Sequence, residues 1–492
     1  MLCIAVAPES RQLGRVDLFN ASIFADIIEL RLDRLHKEPD IKEMLEGVSK
    51  PILISCRRKS DGGAWDGSEE ERMTLLRQGI LAGPAYVELE LDVADKVPRF
   101  GKTQRVVSYT QMQKPLSGLE PILDQAAKAK ADVVKLVGPT PTLDAAWPLL
   151  ATVTKKRTLP VVGMGLGRPG TTFSLLGRRY GAPWIYAALE KGLEAYEGQS
   201  TVTELDEVYH WKAINTQTKF IAVTGFDECA TLRVKVLNAG FAHHQMNTRC
   251  LPLELGISEK IGQMLDALHC PVIVGNPRMG ERMLNLATEI EEPARVSQYS
   301  DLVVKQKDSW HALNTLWRAT LRSIETALGA KTAEDRPLDK RNVFVIGAGG
   351  PAKGVAYGIQ KRKGMISITA ADNSEAQMAA SQFGARFVPI ANMYDTLCDV
   401  VVITEAYSMD EGDAALGVRL NPSFLRPHML VTDLSRLPLE TNLVREARLR
   451  GCKLLDPRSV FCEHMQSVFK TISGKELPLE VAMGALGEPQ EG

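Results

Sequence analysis

The sequence predicts an α/β protein in which a (β/α)8 TIM barrel precedes a second α/β module with a Rossmann nucleotide-binding domain. Two observations lead to this prediction. Short apolar runs alternate with helix-like segments through residues 1–190, and a glycine-rich turn follows an apolar run at residues 343–346. With 492 residues, 45% of them hydrophobic, the chain is long enough to form two or three separate cores.

Eight apolar runs predict the strands of the barrel. They are LCIAVA (2–7), IIELRLD (27–33), PILISCR (51–57), YVELEL (86–91), RVVSY (105–109), VVKLVG (133–138), LPVVGMG (159–165) and WIYAAL (184–189). Strands that alternate with helical segments form parallel βαβ units, and eight such units in about 200 residues fit a closed barrel. The active site of this fold lies at the carboxyl ends of the strands.

Polar side chains on or at the ends of five of these runs predict an anion-binding site around a lysine. Lys135 interrupts an apolar run, where an ammonium group is costly unless it is paired or has lost its proton. Near other cations such an amine loses its proton more easily and becomes nucleophilic toward a ketone. The other polar residues are Glu29, Arg31, Arg57, Glu90 and Ser108. A closed, purely structural network of ion pairs is the alternative interpretation.

The polar segment 210–219 predicts a domain boundary near residue 215, because the strand-like run FIAVTG (220–225) follows it. A charged connection at 330–342 then precedes the glycine-rich turn. We therefore expect three domains, with the C-terminal helices returning to the second one. Their predicted limits are 1–214, 215–335 and 336–492.

The segment VFVIGAGGPAKGVAYGI (343–359) matches the pattern GxGxxA, with Gly347, Gly349 and Ala352 in the small positions. Backbone N–H groups at such a helix start face a pyrophosphate. Asp372 ends the next strand-like run, where an acidic group binds a ribose hydroxyl. The predicted nucleotide-binding residues are Gly347, Gly349, Gly350 and Asp372.

The net charge of −1 argues against general attraction to nucleic acid or to a membrane surface, so a small molecule is the expected partner. The eight cysteines are scattered without zinc-ligand spacing, and we expect no metal. No window approaches the roughly 20 apolar residues of a membrane span. These features favour a cytoplasmic protein and leave its oligomeric state open.

Together these motifs resemble the fused type I 3-dehydroquinate dehydratase and shikimate dehydrogenase over residues 1–488. The segments ELRLD (29–33), CRRKSDGG (56–63) and ADVVKLVGPT (131–140) resemble dehydratase motifs. The resemblance implies that Lys135 forms a Schiff base with 3-dehydroquinate and acts as electron sink while water leaves. It also implies a set of substrate-binding residues in the barrel, namely Glu29, Arg31, Arg57, Asp61 and Gln199.

In the second half, TLRV (231–234) and NTL (314–316) resemble the shikimate-binding and NTD segments of the dehydrogenase, which implies that Arg233 and Asn314 bind substrate. The cofactor implied is NAD or NADP. We favour NAD, because the carboxylate of Asp372 would repel a 2′-phosphate.

Several positions depart from the family pattern. Thr110 stands where the dehydratase has its acid–base histidine, and Met279 and Leu316 stand where the dehydrogenase has a lysine and an aspartate. His464 replaces a glutamine that contacts substrate. We therefore expect negligible shikimate oxidation, because neither Met279 nor Leu316 can titrate.

These residues are consistent with two alternative functions. The first is a shikimate-pathway enzyme with dehydratase and dehydrogenase domains, which the survival of Lys135 and its polar neighbours favours. The alternative is a catalytically weak or inactive homologue that binds a shikimate-like acid or NAD as a sensor or scaffold.

Overall fold

The computed structural model describes residues 1–35, 39–196, 198–332, 334–409 and 418–488, and the chain divides into two compact units. The first unit comprises Met1–Phe220 and Asn247–His269, and the second comprises Ile221–Met246 and Cys270–Gly492. The domain limits drawn from the sequence stay predictions. Within the described ranges, no helix has both the length and the apolar character that crossing a membrane requires.

The first unit contains eight parallel strands, which confirms the barrel predicted from the sequence. They are β1 (Leu2–Val6), β2 (Ile27–Arg31), β3 (Ile52–Ser55), β4 (Tyr86–Glu90), β5 (Gln104–Thr110), β6 (Val133–Pro139), β7 (Val161–Leu166) and β8 (Ile185–Ala187). Their order in the sheet is β7-β6-β5-β4-β3-β2-β1-β8. Strands β1 to β6 each pair with the next strand of the chain, and β8 pairs with β1. The strands are buried nearly throughout, which explains their continuous apolar runs.

Helices follow every strand of the barrel except β4. They are α1 (Arg11–Phe24), α2 (Ile41–Leu45), α3 (Glu69–Leu81), α4 (Leu119–Lys128), α5 (Leu143–Thr154), α6 (Gly170–Tyr180) and α7 (Val202–Glu207). Several begin at a polar N-cap that the sequence supplies. In α3, Ser68 and Glu71 form a reciprocal capping box, and in α5 the Thr142 side chain accepts the N–H of Ala145.

The next part of the chain also alternates strands and helices. Its strands are β9 (Lys219–Thr224), β10 (Thr248–Leu253), β11 (Val272–Val274), β12 (Glu289–Ile290), β13 (Leu302–Gln306) and β14 (Ser309–Leu313). Its helices are α8 (Glu228–His243), α9 (Ile261–Ala267), α10 (Gly280–Leu286), α11 (Glu292–Ser297) and α12 (Leu316–Ala327). Both β10 and α9 belong to the first unit. In the second unit the strands follow the order β9-β11-β13-β14-β12, with β13 antiparallel to both of its neighbours.

The last part of the chain forms the predicted Rossmann sheet. Its strands are β15 (Asn342–Ile346), β16 (Met365–Thr369), β17 (Arg386–Phe387), β18 (Val400–Ile403), β19 (Tyr407–Ser408), β20 (Val418–Arg419), β21 (Leu430–Asp433) and β22 (Lys453–Leu454). Six of them pair in parallel in the order β17-β16-β15-β18-β21-β22, which is a doubly wound arrangement. The strands are added to one side of β15 as far as β17 and to its other side from β18 onward. Ligands of such folds bind at this change in strand order, between β15 and β18.

Five helices accompany this sheet, namely α13 (Gly350–Lys361), α14 (Asn373–Phe383), α15 (Asn442–Leu449), α16 (Pro457–Ser473) and α17 (Leu479–Leu486). The two C-terminal helices pack against the earlier part of the second unit, α16 on α12 and α17 on α8. The rings of Phe241 on α8 and Phe469 on α16 lie 4.9 Å apart. This return brings side chains of α16 beside the turn that precedes α12.

The loop after β3 carries Arg57 and depends on Gly63. A Cβ atom at Gly63 would lie 2.0 Å from the Arg57 carbonyl oxygen, because the N–H of Gly63 closes back on Arg58 O at 2.8 Å. We expect Gly63→Ala to lower the free energy of unfolding by about 1–3 kcal/mol, as overpacking does. Urea unfolding of the two proteins measures it.

The matched control is Gly484→Ala, because no atom lies near a Cβ at that position of α17. Alanine there should leave stability unchanged or raise it by up to about 1 kcal/mol. Equal stability of Gly63→Ala and the wild-type protein would contradict the close packing of this loop.

Candidate active sites

Lys135 lies on β6 with its ammonium group between two carboxylates. Its Nζ atom is 2.7 Å from Glu88 Oε2 and 3.2 Å from Glu29 Oε2. The side chain is 1% exposed and lies over the ring of Tyr186, 4.6 Å from the centroid. A buried ammonium group is tolerated when it is paired in this way.

The direct partners of Lys135 are carboxylates. The cations expected near it, Arg31 and Arg57, act on one of these carboxylates, Glu29. Glu88 is also absent from the residues predicted from the sequence. Its spacing of two from Glu90 on β4 was the available signal, since alternate residues of a strand share a face. Glu90 itself pairs with Arg72 Nη1 at 2.8 Å and makes a separate structural ion pair.

Glu29, at the centre of β2, is the second partner of the lysine. Its Oε1 atom accepts a hydrogen bond from Ser55 Oγ at 2.8 Å. Burial alone would raise the pKa of Glu29, but the charges of Lys135, Arg57 and Arg31 outweigh it and lower the pKa to about 2. This carboxylate is therefore ionised at any physiological pH.

The two predicted arginines are both buried beside this carboxylate. Arg31 donates from Nε and Nη2 to Asp33 at 3.2 and 2.7 Å, while its Nη1 atom has no partner among the described residues. Arg57 donates from Nη2 to the carbonyl oxygen of Asp61 at 2.7 Å and lies 4.0 Å from Glu88. A guanidinium group with an unpaired buried donor is suited to an incoming carboxylate or hydroxyl group.

Asp61, Thr110 and Gln199 occupy different positions around this cluster. The Asp61 carboxylate accepts from Arg58 Nε at 2.6 Å, so its side chain anchors the loop. Thr110 Oγ1 accepts from Arg57 Nη2 at 3.4 Å. Gln199 accepts from the N–H of Ala195 at 2.8 Å and keeps its Nε2 atom buried, with no partner in the described part of the chain.

The unpaired donors of Arg31 and Gln199 distinguish this cluster from a closed structural network. Tyr196 lies near both residues. Burial raises the pKa of Tyr196, and its ring lies within electrostatic range of Arg57, Glu29 and Arg31. Its carbonyl oxygen accepts the N–H of Gln199 at 3.2 Å. The barrel therefore combines a paired lysine with buried donors that still require an acceptor, as a site for an anionic carbonyl compound does.

In the second unit, the glycine-rich turn faces a cavity of about 540 Å³. The residues that line it include Gly349, Gly350, Arg278 and Lys353. A Cβ atom at Gly349 would meet no other atom within 4 Å, so this position is open to the cavity. The start of α13 at Gly350 supplies backbone N–H groups there, and the arrangement fits a dinucleotide pyrophosphate.

The other glycines of the turn are required mainly by packing. A Cβ atom at Gly347 would lie 2.2 Å from Thr404 Oγ1, and one at Gly350 would lie 2.3 Å from the Cβ atom of Tyr299. Gly347 also has a φ angle of 127°, which strongly favours glycine.

Two carboxylates follow strands of this sheet, Asp372 after β16 and Glu405 after β18. Asp372 caps α14, where its Oδ1 atom accepts the N–H groups of Ser374 and Glu375 at 2.7 and 3.3 Å. Burial raises the pKa of Glu405, against the lowering effect of hydrogen bonds from the N–H groups of Ala371 and Ala348. Asp372 therefore has a structural function, and its role in nucleotide binding stays a prediction.

Arg233 and Asn314 are buried in the second unit with unused hydrogen-bonding atoms. Arg233 has no partner for Nε or Nη1 among the described residues, and Asn314 has none for Oδ1. Asn314 Nδ2 donates to Ser297 Oγ at 3.0 Å. Both residues are thus prepared for a polar ligand.

His464 on α16 lies close to Asp301, a residue absent from the sequence prediction. The two are 163 positions apart in the chain, yet His464 Nε2 is 2.9 Å from Asp301 Oδ2. No local motif marks Asp301, and only the packing of α16 reveals the pair. The described residues contain no group of three or more metal-ligating side chains.

Comparisons with known proteins find similar families and structures for both halves of the chain. Residues 2–216 match the sequence model of the Type I 3-dehydroquinase family. A chloroplastic bifunctional 3-dehydroquinate dehydratase/shikimate dehydrogenase of Arabidopsis thaliana is 24% identical, over 98% of this chain and 83% of its own. A 3-dehydroquinate dehydratase of Methanosarcina mazei is 30% identical, over 37% of this chain and 84% of its own. The crystal structure of shikimate dehydrogenase from Aquifex aeolicus is 23% identical, over 56% of this chain and 100% of its own, with a TM-score of 0.49.

The lowered pKa of Glu29 makes its contribution to stability depend on pH. The folded pKa of about 2 lies below the ordinary 4.5, so the ionised carboxylate stabilises the fold above pH 4.5, and this contribution is lost as the pH falls toward 2. We expect the wild-type protein to be more stable than Glu29→Gln at neutral pH, with the difference shrinking over that range. Urea unfolding at a series of pH values measures it.

The control is Glu43→Gln, which removes an exposed carboxylate on α2. Its stability difference from the wild-type protein should be small throughout. A Glu29→Gln difference that is constant between pH 4.5 and 2 would contradict the assigned charge state.

Proposed function

Because the chain belongs to the type I 3-dehydroquinase family, we propose that its first unit dehydrates 3-dehydroquinate through a Schiff base on Lys135. The observation that carries this proposal is the burial of the Lys135 amine between Glu29 and Glu88. A lysine so placed has proton acceptors within hydrogen-bonding distance of its nucleophilic atom. The same barrel carries unpaired donors for the acidic substrate.

The chain as a whole is a shikimate-pathway enzyme, with a dehydratase and a shikimate dehydrogenase-like half. Its similarity to the bifunctional plant protein extends over 98% of its length. The second unit has the Rossmann sheet and the open glycine turn that a nicotinamide dinucleotide requires.

Imine formation begins with proton transfer, because only the free amine attacks a ketone. Glu88 Oε2, at 2.7 Å, is the nearest carboxylate oxygen to Lys135 Nζ and accepts the proton. The amine then adds to the substrate carbonyl, and the carbinolamine loses its oxygen as water to give the iminium ion. Its positive charge replaces that of the ammonium group between the carboxylates.

Dehydration follows from the electron-withdrawing iminium group. A carboxylate removes the proton from the carbon next to the imine, and the electron pair moves to nitrogen to form an enamine. The enamine then expels the hydroxyl group on the adjacent carbon, which leaves as water with a proton. Hydrolysis of the product imine restores Lys135.

Glu88 takes part in these proton transfers, since Thr110 offers only a hydroxyl group at the family's histidine position. Glu29, which the lowered pKa keeps ionised, stabilises the positive charge of the iminium ion. Arg31 and Gln199 supply the buried donors for the substrate carboxylate and hydroxyl groups. Arg57, which lies close to both Glu88 and Thr110, adds positive charge beside them.

Borohydride trapping tests the Schiff base directly. We expect the purified protein, incubated with 3-dehydroquinate and borohydride, to gain one ligand as a reduced secondary amine on Lys135. Intact and peptide mass spectrometry measure the added mass and its position. Lys135→Ala should give no adduct, because its side chain has no amine.

The matched control is Lys128→Ala, which removes an exposed lysine at the end of α4. It should form the adduct as the wild-type protein does. Absence of an adduct on the folded wild-type protein, or an adduct on Lys135→Ala, would overturn the assignment of Lys135.

We propose NAD as the dinucleotide of the second unit. Asp372 uses Oδ1 to cap α14, which leaves Oδ2 for a ribose hydroxyl, and the adjoining segment 371–374 contains no cation for a 2′-phosphate. Calorimetry should show tighter binding of NAD than of NADP.

Asp372→Asn removes the negative charge of the side chain but keeps the cap of α14, because asparagine also caps helices well. We expect this variant to keep its stability and to narrow the affinity difference between the two dinucleotides. Tighter binding of NADP by the wild-type protein, or a ratio that Asp372→Asn leaves unchanged, would contradict the proposal.

A further inference from the structure

We propose that His464 is the acid–base residue of hydride transfer in the second unit, with Asp301 as the residue that positions it. The inference rests on the proposed dehydrogenase function of that unit. It replaces the expectation that this site has no titratable group, which followed from Met279 and Leu316. Asp301 supplies a carboxylate from a different place in the sequence, and this carboxylate lies against the turn at Thr315 and Leu316.

The carboxylate of Asp301 is fixed by the turn that begins α12. Its Oδ1 atom accepts the N–H of Thr315 at 2.8 Å, and its Oδ2 atom accepts the N–H of Leu316 at 2.7 Å and Thr315 Oγ1 at 3.1 Å. The carboxylate therefore bonds directly to the backbone of residue 316, the position where the resemblance places an aspartate. Asp301 is 1% exposed, so solvent does not compete for these bonds.

The imidazole of His464 is oriented by this carboxylate. Its Nε2 atom lies 2.9 Å from Asp301 Oδ2 and 3.0 Å from Thr315 Oγ1. Because a carboxylate only accepts, Nε2 carries the hydrogen of the neutral ring, and Nδ1 becomes the basic nitrogen. Nδ1 has no hydrogen-bond partner among the described residues, so it is available to a ligand.

The pair lies next to groups that are suited to an acidic ligand and to a dinucleotide. Thr315 donates to Asp301 at 3.1 Å, and the preceding residue, Asn314, donates to Ser297 at 3.0 Å. Asp301 and Arg233 both lie within electrostatic range of Tyr299, where Asp301 raises the pKa of the phenol beyond the effect of burial and Arg233 lowers it. Tyr299 and Ser297 line the cavity at the glycine-rich turn. Arg233 is 7% exposed and has two unpartnered guanidinium nitrogens among the described residues.

A purely structural role of His464 and Asp301 does not account for these neighbours. An aspartate that only caps α12 is satisfied by the N–H groups of Thr315 and Leu316 and needs no histidine. A histidine that only fills space does not need a second buried cation with unused donors nearby. The combination of a fixed base, a buried guanidinium group and an adjacent dinucleotide-sized cavity is that of an oxidoreductase site for a hydroxy acid.

The proposed step is balanced for oxidation of a secondary alcohol. His464 Nδ1 accepts the hydroxyl proton, and the O–H electron pair forms the second bond of the new carbonyl group. The carbinol hydrogen leaves with its electron pair for the oxidised nicotinamide ring, so the alcohol is oxidised and the dinucleotide is reduced. Arg233 holds the carboxylate of the hydroxy acid, and Asp301 stabilises the imidazolium ion that forms.

Turnover and binding variants form the first test, with shikimate and NAD as the probes. We expect His464→Gln and Asp301→Asn each to lower kcat by about 10²–10⁴-fold, the usual contribution of an acid–base group. The dissociation constant of shikimate, measured by calorimetry, should change less than tenfold. Imidazole added to His464→Ala should restore part of the lost turnover, an effect that a structural histidine would not show.

The control is His244→Gln. His244 also packs against α16, where its ring stacks on Phe469 at 5.7 Å, but it belongs to neither proposed site. This variant should retain wild-type kcat. Thermal unfolding of every variant separates loss of the base from loss of the fold.

Nitrogen-15 NMR of the ligand-free protein provides a readout that does not depend on activity. The eight histidines give a small set of ring signals, and His464→Gln identifies that of His464 by its loss. We expect the signal of a ring protonated at Nε2, and expect Asp301→Asn to change this tautomer.

The outcomes distinguish the inference from the proposed function. If the wild-type protein neither binds nor oxidises shikimate with NAD or NADP, the dehydrogenase function is overturned, and this inference with it. If the wild-type protein oxidises shikimate and His464→Gln or Asp301→Asn does so equally well, only the inference is overturned. A His464 ring protonated at Nδ1 would overturn the assigned role of Asp301.

Discussion

The burial of one ammonium group determines how the barrel is built at its centre. Lys135 is 1% exposed, so its charge must be balanced by groups that other strands bring to it. Strand β2 supplies Glu29 and strand β4 supplies Glu88, and these carboxylates in turn are surrounded by Arg31 and Arg57. Charges of both signs alternate through a core that is otherwise apolar. The two carboxylates that balance the charge of Lys135 are also within hydrogen-bonding distance of the amine that we propose as the nucleophile, so its burial and the proposed chemistry depend on the same contacts.

The second unit meets a similar requirement with residues from distant parts of the chain. A buried carboxylate at Asp301 is satisfied by N–H groups at the start of α12 and by a histidine that α16 contributes. The position of a charged atom in space matters for proton transfer, whereas the position of its residue in the sequence does not. Comparison by motif alone therefore identifies Leu316 as a loss and overlooks the carboxylate that bonds to its backbone.

The glycine-rich turn shows how one motif serves two purposes. Gly347 and Gly350 are needed where the turn approaches Thr404 and Tyr299, and Gly349 is the glycine that opens onto the cavity. The small residues of the pattern GxGxxA are consequently required by packing as well as by the proposed binding of a pyrophosphate. Asp372 likewise caps α14 while it keeps one oxygen free. The fold and the proposed dinucleotide site therefore share these residues.

The sequence by itself determined the eight barrel strands, the Rossmann sheet and the presence of Lys135 within an apolar strand. Apolar periodicity and glycine spacing are local properties, so they can be read without the tertiary structure. It also identified Glu29, Arg31, Arg57, Arg233 and the nucleotide turn as candidates. Only the tertiary structure decided that Glu88 pairs with Lys135, that Glu90 pairs with Arg72, and that His464 meets Asp301. These contacts join residues between 18 and 163 positions apart, and no local pattern encodes which distant side chains packing will bring within 3 Å.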